Sequence, residues 1–172
     1  TFSGTTAGYI QSAISSPVLV GNLTASAWIK PDLAAPAGFV MVAEATCTGS
    51  VVRAVSLFRR ANGGIDVFSS SVNISTTEVN IPVSKWTHVA YSWDGSKYSF
   101  YIDGKFIESK PTATAIPGNS IGCVKIGDYF VAGAPFKGKI DDVGIYTSAL
   151  AREDIMQIYA QGLPAHSLAN AQ

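Results

Sequence analysis

Short runs of alternating apolar and polar residues recur along this chain, and turn-forming residues punctuate them nearly to its end. The first run, TASAWIKP, starts at Thr24 and stops at Pro31. FVMVAEA follows from Phe39, then VVRAVSLFRR from Val51, and IDVFSS from Ile65 beyond the Ala61–Gly64 turn. Asn62-Gly63 between two β-rich runs is a strong hairpin signal, because Asn and Gly tolerate positive φ. From Lys85 the run KWTHVAYSW turns at Asp94-Gly95 and returns as KYSFYI. A second turn, Asp103-Gly104, returns the chain as KFIES, which ends before Pro111. Three successive strands on two tight turns make a β-meander. A Pro- and Gly-containing loop spans Pro111 to Gly118, and SIGCVKIG and FKGKIDDVGIY read as two further strands. About ten strands at this spacing predict an all-β, antiparallel, two-sheet sandwich rather than an α/β sheet.

One segment departs from this period. Leu150 to Gly162 has helical spacing, with Ile155, Ile158 and Tyr159 on one face. Glu153 and Asp154 fall in its first turn, where the helix dipole favours negative charge, and Gly162 and Pro164 supply a stop. The segment is expected to be one short C-terminal surface helix laid on the sandwich. Residues after it lack periodicity, so residues 1–163 are expected to form the domain and 164–172 a loose tail. No internal repeat or second domain is visible.

Length and composition narrow the picture. A chain of 172 residues has room for one domain with a two-layer core, and its 47% hydrophobic residues can fill one. Only 14% are charged, against about a quarter in ordinary globular domains. Twelve basic residues balance twelve acidic ones, so no long-range field gathers nucleic acid or an anionic bilayer, and neither is an expected partner. No apolar run approaches the roughly 20 residues of a membrane span. The chain begins at Thr1 and is expected to be part of a larger parent chain, with any leader removed. Cys47 and Cys123 admit two readings, a disulfide worth about 4 kcal/mol or two buried thiols. Neither stands in a CxxC pair, which argues against zinc.

The segment FKGKIDDVGIYTSALAREDIMQIYAQG, from Phe136 to Gly162, resembles the closing signature of laminin-G-like domains in the concanavalin A-like lectin/glucanase superfamily. KWTHVAYSWDGSKYSFYIDGK matches that family's paired hairpins, and FSG…YIQ and ASAWIKP match its opening strands. The resemblance runs nearly end to end in the expected order. It implies a jelly roll, an extracellular or cell-surface location, and a ligand that is a glycan or a surface protein. It also brings calcium into view as a candidate cofactor, since Asp141 matches a signature aspartate of calcium-binding relatives and Asp142 stands beside it. Against this, the opening carboxylate of those relatives is replaced by Ser3, and calcium wants six to eight oxygens. Family helices also often open with a Ser or Asp cap where Ala151 stands here. Ser148 is the expected substitute, starting the helix earlier.

Trp28, Trp86 and Trp93 lie in predicted strands and are expected in the core; His88 is expected to be a satisfied structural histidine. Catalytic patterns are weak. Glucanase relatives use an E-x-D-x-x-E strand, but Glu44, Glu78, Glu108 and Glu153 stand in no such pattern. Asp141 and Asp142 point to opposite faces of any regular strand. The string Gly118-Asn119-Ser120-Ile121-Gly122 precedes a predicted strand, whereas a hydrolase elbow needs a helix there. The expectation is a non-catalytic binding or adhesion domain, working through edge loops or the concave sheet. Tyr129 and Phe130 are its best loop aromatics, and Arg53 and Arg59, with Arg60, make a candidate basic patch for an acidic glycan. The alternative is a structural head on a pilin-like surface appendage, since the IYAQGLPAH ending resembles such heads.

Overall fold

The computed structural model describes residues 1–5, 8–19, 21–33, 35, 37–48, 53–69, 72–77, 79–112, 120–129, 133–168 and 170, with backbone alone at 15–19, 53, 54, 69 and 72. In chain order the elements are β1 (Phe2–Ser3), β2 (Ile10–Leu19), β3 (Leu23–Pro31), β4 (Gly38–Glu44), β5 (Arg53–Arg59) and β6 (Ile65–Ser69). Then come β7 (Val72–Ser75), β8 (Thr87–Trp93), β9 (Lys97–Ile102), β10 (Lys105–Pro111), β11 (Ser120–Ile126), β12 (Lys137–Tyr146) and α1 (Arg152–Leu168). The strands form two six-stranded antiparallel sheets, in orders β1-β12-β3-β8-β9-β10 and β2-β11-β4-β5-β6-β7. The predicted sandwich is the observed one.

The meander β8-β9-β10 falls where the turns place it. Asp103 and Gly104 both take positive φ, 48° and 72°, as a two-residue hairpin turn requires. The Asp103 carboxylate accepts the His88 N–H at 2.9 Å, which ties the turn to β8. At the other turn, Asp94 Oδ1 accepts the N–H groups of Ser96 and Lys97. Three strands lie outside the runs read from alternation, among them the two-residue β1, which pairs with β12. The serine-rich β2, interrupted by Pro17, pairs with β11, and the four-residue β7 pairs with β6 at a sheet edge. Pairing with a neighbour supplies the order that their own composition does not.

Between the sheets, Ala25, Ala27 and Ile29 of β3 and Val89, Tyr91 and Trp93 of β8 meet Met41, Val55, Leu57 and Val67 of the second sheet. Each large apolar side chain buried this way contributes about 2 kcal/mol. Cys47 and Cys123 are joined in a disulfide with Cα atoms 5.4 Å apart, linking the end of β4 to β11 across a separation of 76 residues. Of the two readings left open by the sequence, the cross-link is the one present.

The helix differs from its prediction at both ends. It starts at Arg152, not at Ser148, whose carbonyl instead accepts the Thr24 hydroxyl at 2.9 Å. Asp154 Oδ2 accepts the Ala151 N–H at 3.1 Å, the returning half of a capping box, and so compensates for the missing hydroxyl cap. At the far end the helix runs through Gly162 and Pro164 to Leu168, so residues 164–168 are helix rather than loose tail. Interior proline costs roughly 3 kcal/mol, and contacts beyond it offset that cost. His166 stacks on Trp28 with ring centroids 4.3 Å apart, and Asn170 brackets the Trp86 backbone, accepting its N–H at 2.7 Å and donating to its carbonyl at 3.2 Å. Gly162 is there for proximity: a Cβ on it would lie 2.2 Å from Trp28 Nε1.

Candidate functional site

The outer face of the first sheet carries the arrangement with the clearest binding geometry. Because side chains alternate, the residues of β3 and β8 that do not enter the core stand on this face. Strand register lines them up in rows. One row reads Thr24, Ser92, Ser99 and Ser109 across β3, β8, β9 and β10. The next reads Ser26, Ala90, Tyr101 and Phe106, and beyond it Trp28 pairs with His88.

Helix α1 covers the Trp28 end. Tyr159 and His166 both stack on Trp28, Trp86 meets His166 edge-on, and Ile155 packs with Ala90 and Tyr101. His88 is 1% exposed, and neither ring nitrogen has a hydrogen-bond partner among the described residues. Burial, and secondarily the nearby His166, presses its pKa down to about 4, so it is neutral and packs as an aromatic spacer. The expected buried structural histidine is there, but its nitrogens are not satisfied. A small cavity of about 210 Å³, lined by Trp28, Lys85, Trp86, Asp103 and Tyr159 among others, remains beside the helix.

The other end of the face is open. A groove of about 410 Å³ lies between the serine row, Tyr101 and Phe106, and the segment Ala149–Arg152 that leads into α1. That segment is pinned by Thr24, whose hydroxyl donates to Ser148 O and accepts from the Leu150 N–H, both at 2.9 Å. Thr24 is thereby used up. Ser92 and Ser99, only 6% and 8% exposed, line the groove, and their side-chain hydroxyls make no hydrogen bond to any described residue. Two hydroxyls free to donate and accept therefore form its floor. Phe106, 37% exposed, supplies an aromatic wall, braced edge-on by Tyr101 at 5.8 Å. The Arg152 guanidinium sits 4.7 Å over the Phe106 ring. At the opposite end Lys97 Nζ stands 4.0 Å from Asp94 Oδ2.

The residues singled out from the sequence are dispersed. Tyr129 is half-buried, tilted against Phe39 at 5.2 Å, and its carbonyl accepts from Lys125 Nζ at 2.7 Å. It belongs to a cluster with Phe39, Phe58 and Phe68 on the second sheet. Phe130 and the Arg53 side chain lie outside the described residues. Arg59 corrects the expected basic patch: it is 2% exposed, and its guanidinium donates to the carbonyls of Ala35 and Ile81 at 3.5 and 3.4 Å. Its task is to satisfy buried loop carbonyls. Arg60 is likewise engaged, with Asp66 at 3.1 Å.

Asp141 and Asp142 occupy a bulge in β12, where Asp142 takes φ of 45° and the pairing with β3 slips. Asp141 Oδ1 accepts the Asp142 N–H at 3.0 Å, and Oδ2 is 3.4 Å from His166 Nε2. Among the described residues no group of three His, Cys, Asp or Glu side chains gathers here or elsewhere. Ser3 pairs with Lys137, several residues along β12. Two carboxylates, one already accepting a backbone N–H, do not by themselves fit the oxygen shell of calcium. The serine of the G-x-S-x-G string opens strand β11, without the helix that a nucleophile elbow requires. Sequence reasoning missed the groove, although the meander register that aligns its serines was legible once both turns were recognised.

Two six-stranded antiparallel sheets with a helix across one outer face define a lectin-like jelly-roll sandwich. Residues 3–156 match the laminin G family model described as Concanavalin A-like lectin/glucanases superfamily, and the chain belongs to that family. Human usherin is 26% identical over 161 residues, which cover 86% of this chain but 3% of usherin. Among solved structures, the heptameric SAP-like pentraxin of Limulus polyphemus is 20% identical, covering 92% of this chain and 79% of its own, with TM-score 0.69. The CBM40 of Ruminococcus gnavus IT-sialidase, solved bound to alpha2,3 sialyllactose, is 15% identical, covering 87% and 98%, with TM-score 0.64. Among the described residues no helix is long and apolar enough to cross a membrane.

Proposed function

We propose that this domain is a non-catalytic, extracellular carbohydrate-binding module, and that the open groove on the first sheet is its binding site. The observation that carries the reading is the floor of Ser92 and Ser99, two hydroxyls without a hydrogen-bond partner among the described residues, in a groove that Phe106 also lines. Sugars present a ring of hydroxyls with an apolar face, so a site for them combines hydrogen-bonding groups with an aromatic surface, in a concavity that buries the ligand. At about 410 Å³ the groove is large enough for a small sugar unit. The sialyllactose-bound relative with this fold lends support by analogy. The Cys47–Cys123 cross-link supports an oxidising, extracellular setting.

A glycan array read in calcium and again in chelator tests this reading, followed by amide-shift mapping of each sugar bound. Shifts concentrated on Ser92, Ser99 and Phe106 are expected. Binding that moves only the Tyr129 region would relocate the site to the loops, and binding lost in chelator would restore calcium at Asp141. Silence across the array in both conditions would overturn sugar recognition and favour the structural head of a surface appendage.

A further inference from the structure

We infer that the groove selects sugars bearing a carboxylate, with Arg152 as the group that recognises it; this deepens, and rests on, the carbohydrate reading of the same groove. Arg152 is exposed at the first position of α1, and no described carboxylate pairs with it. Its contact is the Phe106 ring, 4.7 Å away. Stacking holds a guanidinium in place through its face and leaves the N–H fork at its edge free. That fork matches the two oxygens of a planar carboxylate. An unpaired arginine held against a ring, at the rim of a groove floored by unpaired hydroxyls, is a site built for an anionic group with hydroxyls around it.

Charge balance supports a single carboxylate. Lys97 and Arg152 contribute two positive charges to the lining and Asp94 one negative. Asp94 Oδ1 is engaged by Ser96 and Lys97, and its other oxygen faces Lys97 at 4.0 Å. That exposed pair is weak and leaves Arg152 as the groove cation without a counter-ion among the described residues. The acidic residues of the first helical turn do not line the groove, and Asp154 is engaged with Ala151. One net positive charge suits one carboxylate better than a multiply sulfated chain. The acidic ligand expected from Arg53 and Arg59 thus finds its cation on the other sheet, at the start of the helix.

The test compares neutral, carboxylated and sulfated oligosaccharides by calorimetry, using the wild-type chain, Arg152→Ala, Arg152→Lys and Ser99→Ala. Carboxylated sugars are expected to bind best. Arg152→Ala should weaken them by about tenfold or more, and Arg152→Lys by less, because charge survives without the fork. Ser99→Ala should weaken every sugar that binds. An unchanged melting temperature in both Arg152 variants separates recognition from folding. Neutral sugars bound as well as carboxylated ones, with Arg152→Ala without effect, would overturn the inference while leaving the carbohydrate reading intact. Tighter binding of sulfated chains would also overturn it. Failure of every sugar class with the wild-type chain would remove both.

Discussion

The outer face of the first sheet is handled in opposite ways at its two ends. At one end α1 lies over Trp28 and His88, and the contacts are ring on ring with almost no exposure. At the other the rows continue as Ser92, Ser99 and Ser109 with Tyr101 and Phe106, and the chain only skirts them between Ala149 and Arg152. Both ends belong to the same strands, so the backbone does not distinguish them. The side chains do. Large rings reward burial under a helix, whereas a serine row gains little from an apolar cover and would lose its hydrogen bonds to water. The covered end fixes the helix, and the helix start walls the open end. Helix docking and the groove proposed for recognition are therefore built on one surface but separated along it.

That separation is open to attack, beginning where the effect is largest. Trp28→Ala removes the ring on which Tyr159 and His166 stack and should cost about 3–5 kcal/mol in denaturant unfolding. Phe106→Ala at the open end should cost less than about 1 kcal/mol. Comparable losses at both would erase the distinction.

Acid should act on the covered end next. His88 faces His166 from α1, and its own backbone N–H is held by the Asp103 carboxylate; Asp141 lies beyond, 3.4 Å from His166. With its pKa lowered from 6.5 to about 4, His88 stays neutral in the fold while the unfolded chain takes up a proton first. Its contribution is therefore complete above about pH 6.5 and is lost as pH falls toward 4, on the order of 3 kcal/mol in all. His88→Phe should flatten that part of the profile, as measured by melts between pH 8 and 4. An unaltered profile would show that His88 is not the sensor.

Gly162→Ala gives a sign test. On an ordinary helix the change gains up to about 1 kcal/mol, but here a Cβ would fall 2.2 Å from Trp28 Nε1, and overpacking should cost about 1–3 kcal/mol instead. A stabilised variant would mean that α1 is less closely docked. Smallest is Thr24→Val, which removes two hydrogen bonds pinning the lead into α1 and should cost about 1 kcal/mol, with some loss of sugar affinity through a looser groove wall.

Much of the molecule is legible one residue at a time. Alternation marked β3, β4, β8 and β9, and Asp94-Gly95 and Asp103-Gly104 fixed the meander and with it the pairing of Ser92 to Ser99. The serine-rich β2 and the short β7 gave no comparable signal, because their order comes from neighbours rather than from their own pattern. The site was harder. Arg59 reads in sequence as one more charged residue at the end of a strand, and only folding carries it inward to the carbonyls of Ala35 and Ile81. Pro164 reads as a stop, yet the anchors that override it, Trp28 and Trp86, lie more than a hundred residues away in one case and nearly eighty in the other.

By itself, then, the sequence determined the period of the strands, the tight turns and the family signature, since each depends on residues adjacent in the chain. Tertiary structure decided which charges stay at the surface, where the helix ends, and which hydroxyls are left without a partner. Those outcomes depend on what distant segments bring to the same square nanometre, and local chemistry cannot encode them alone.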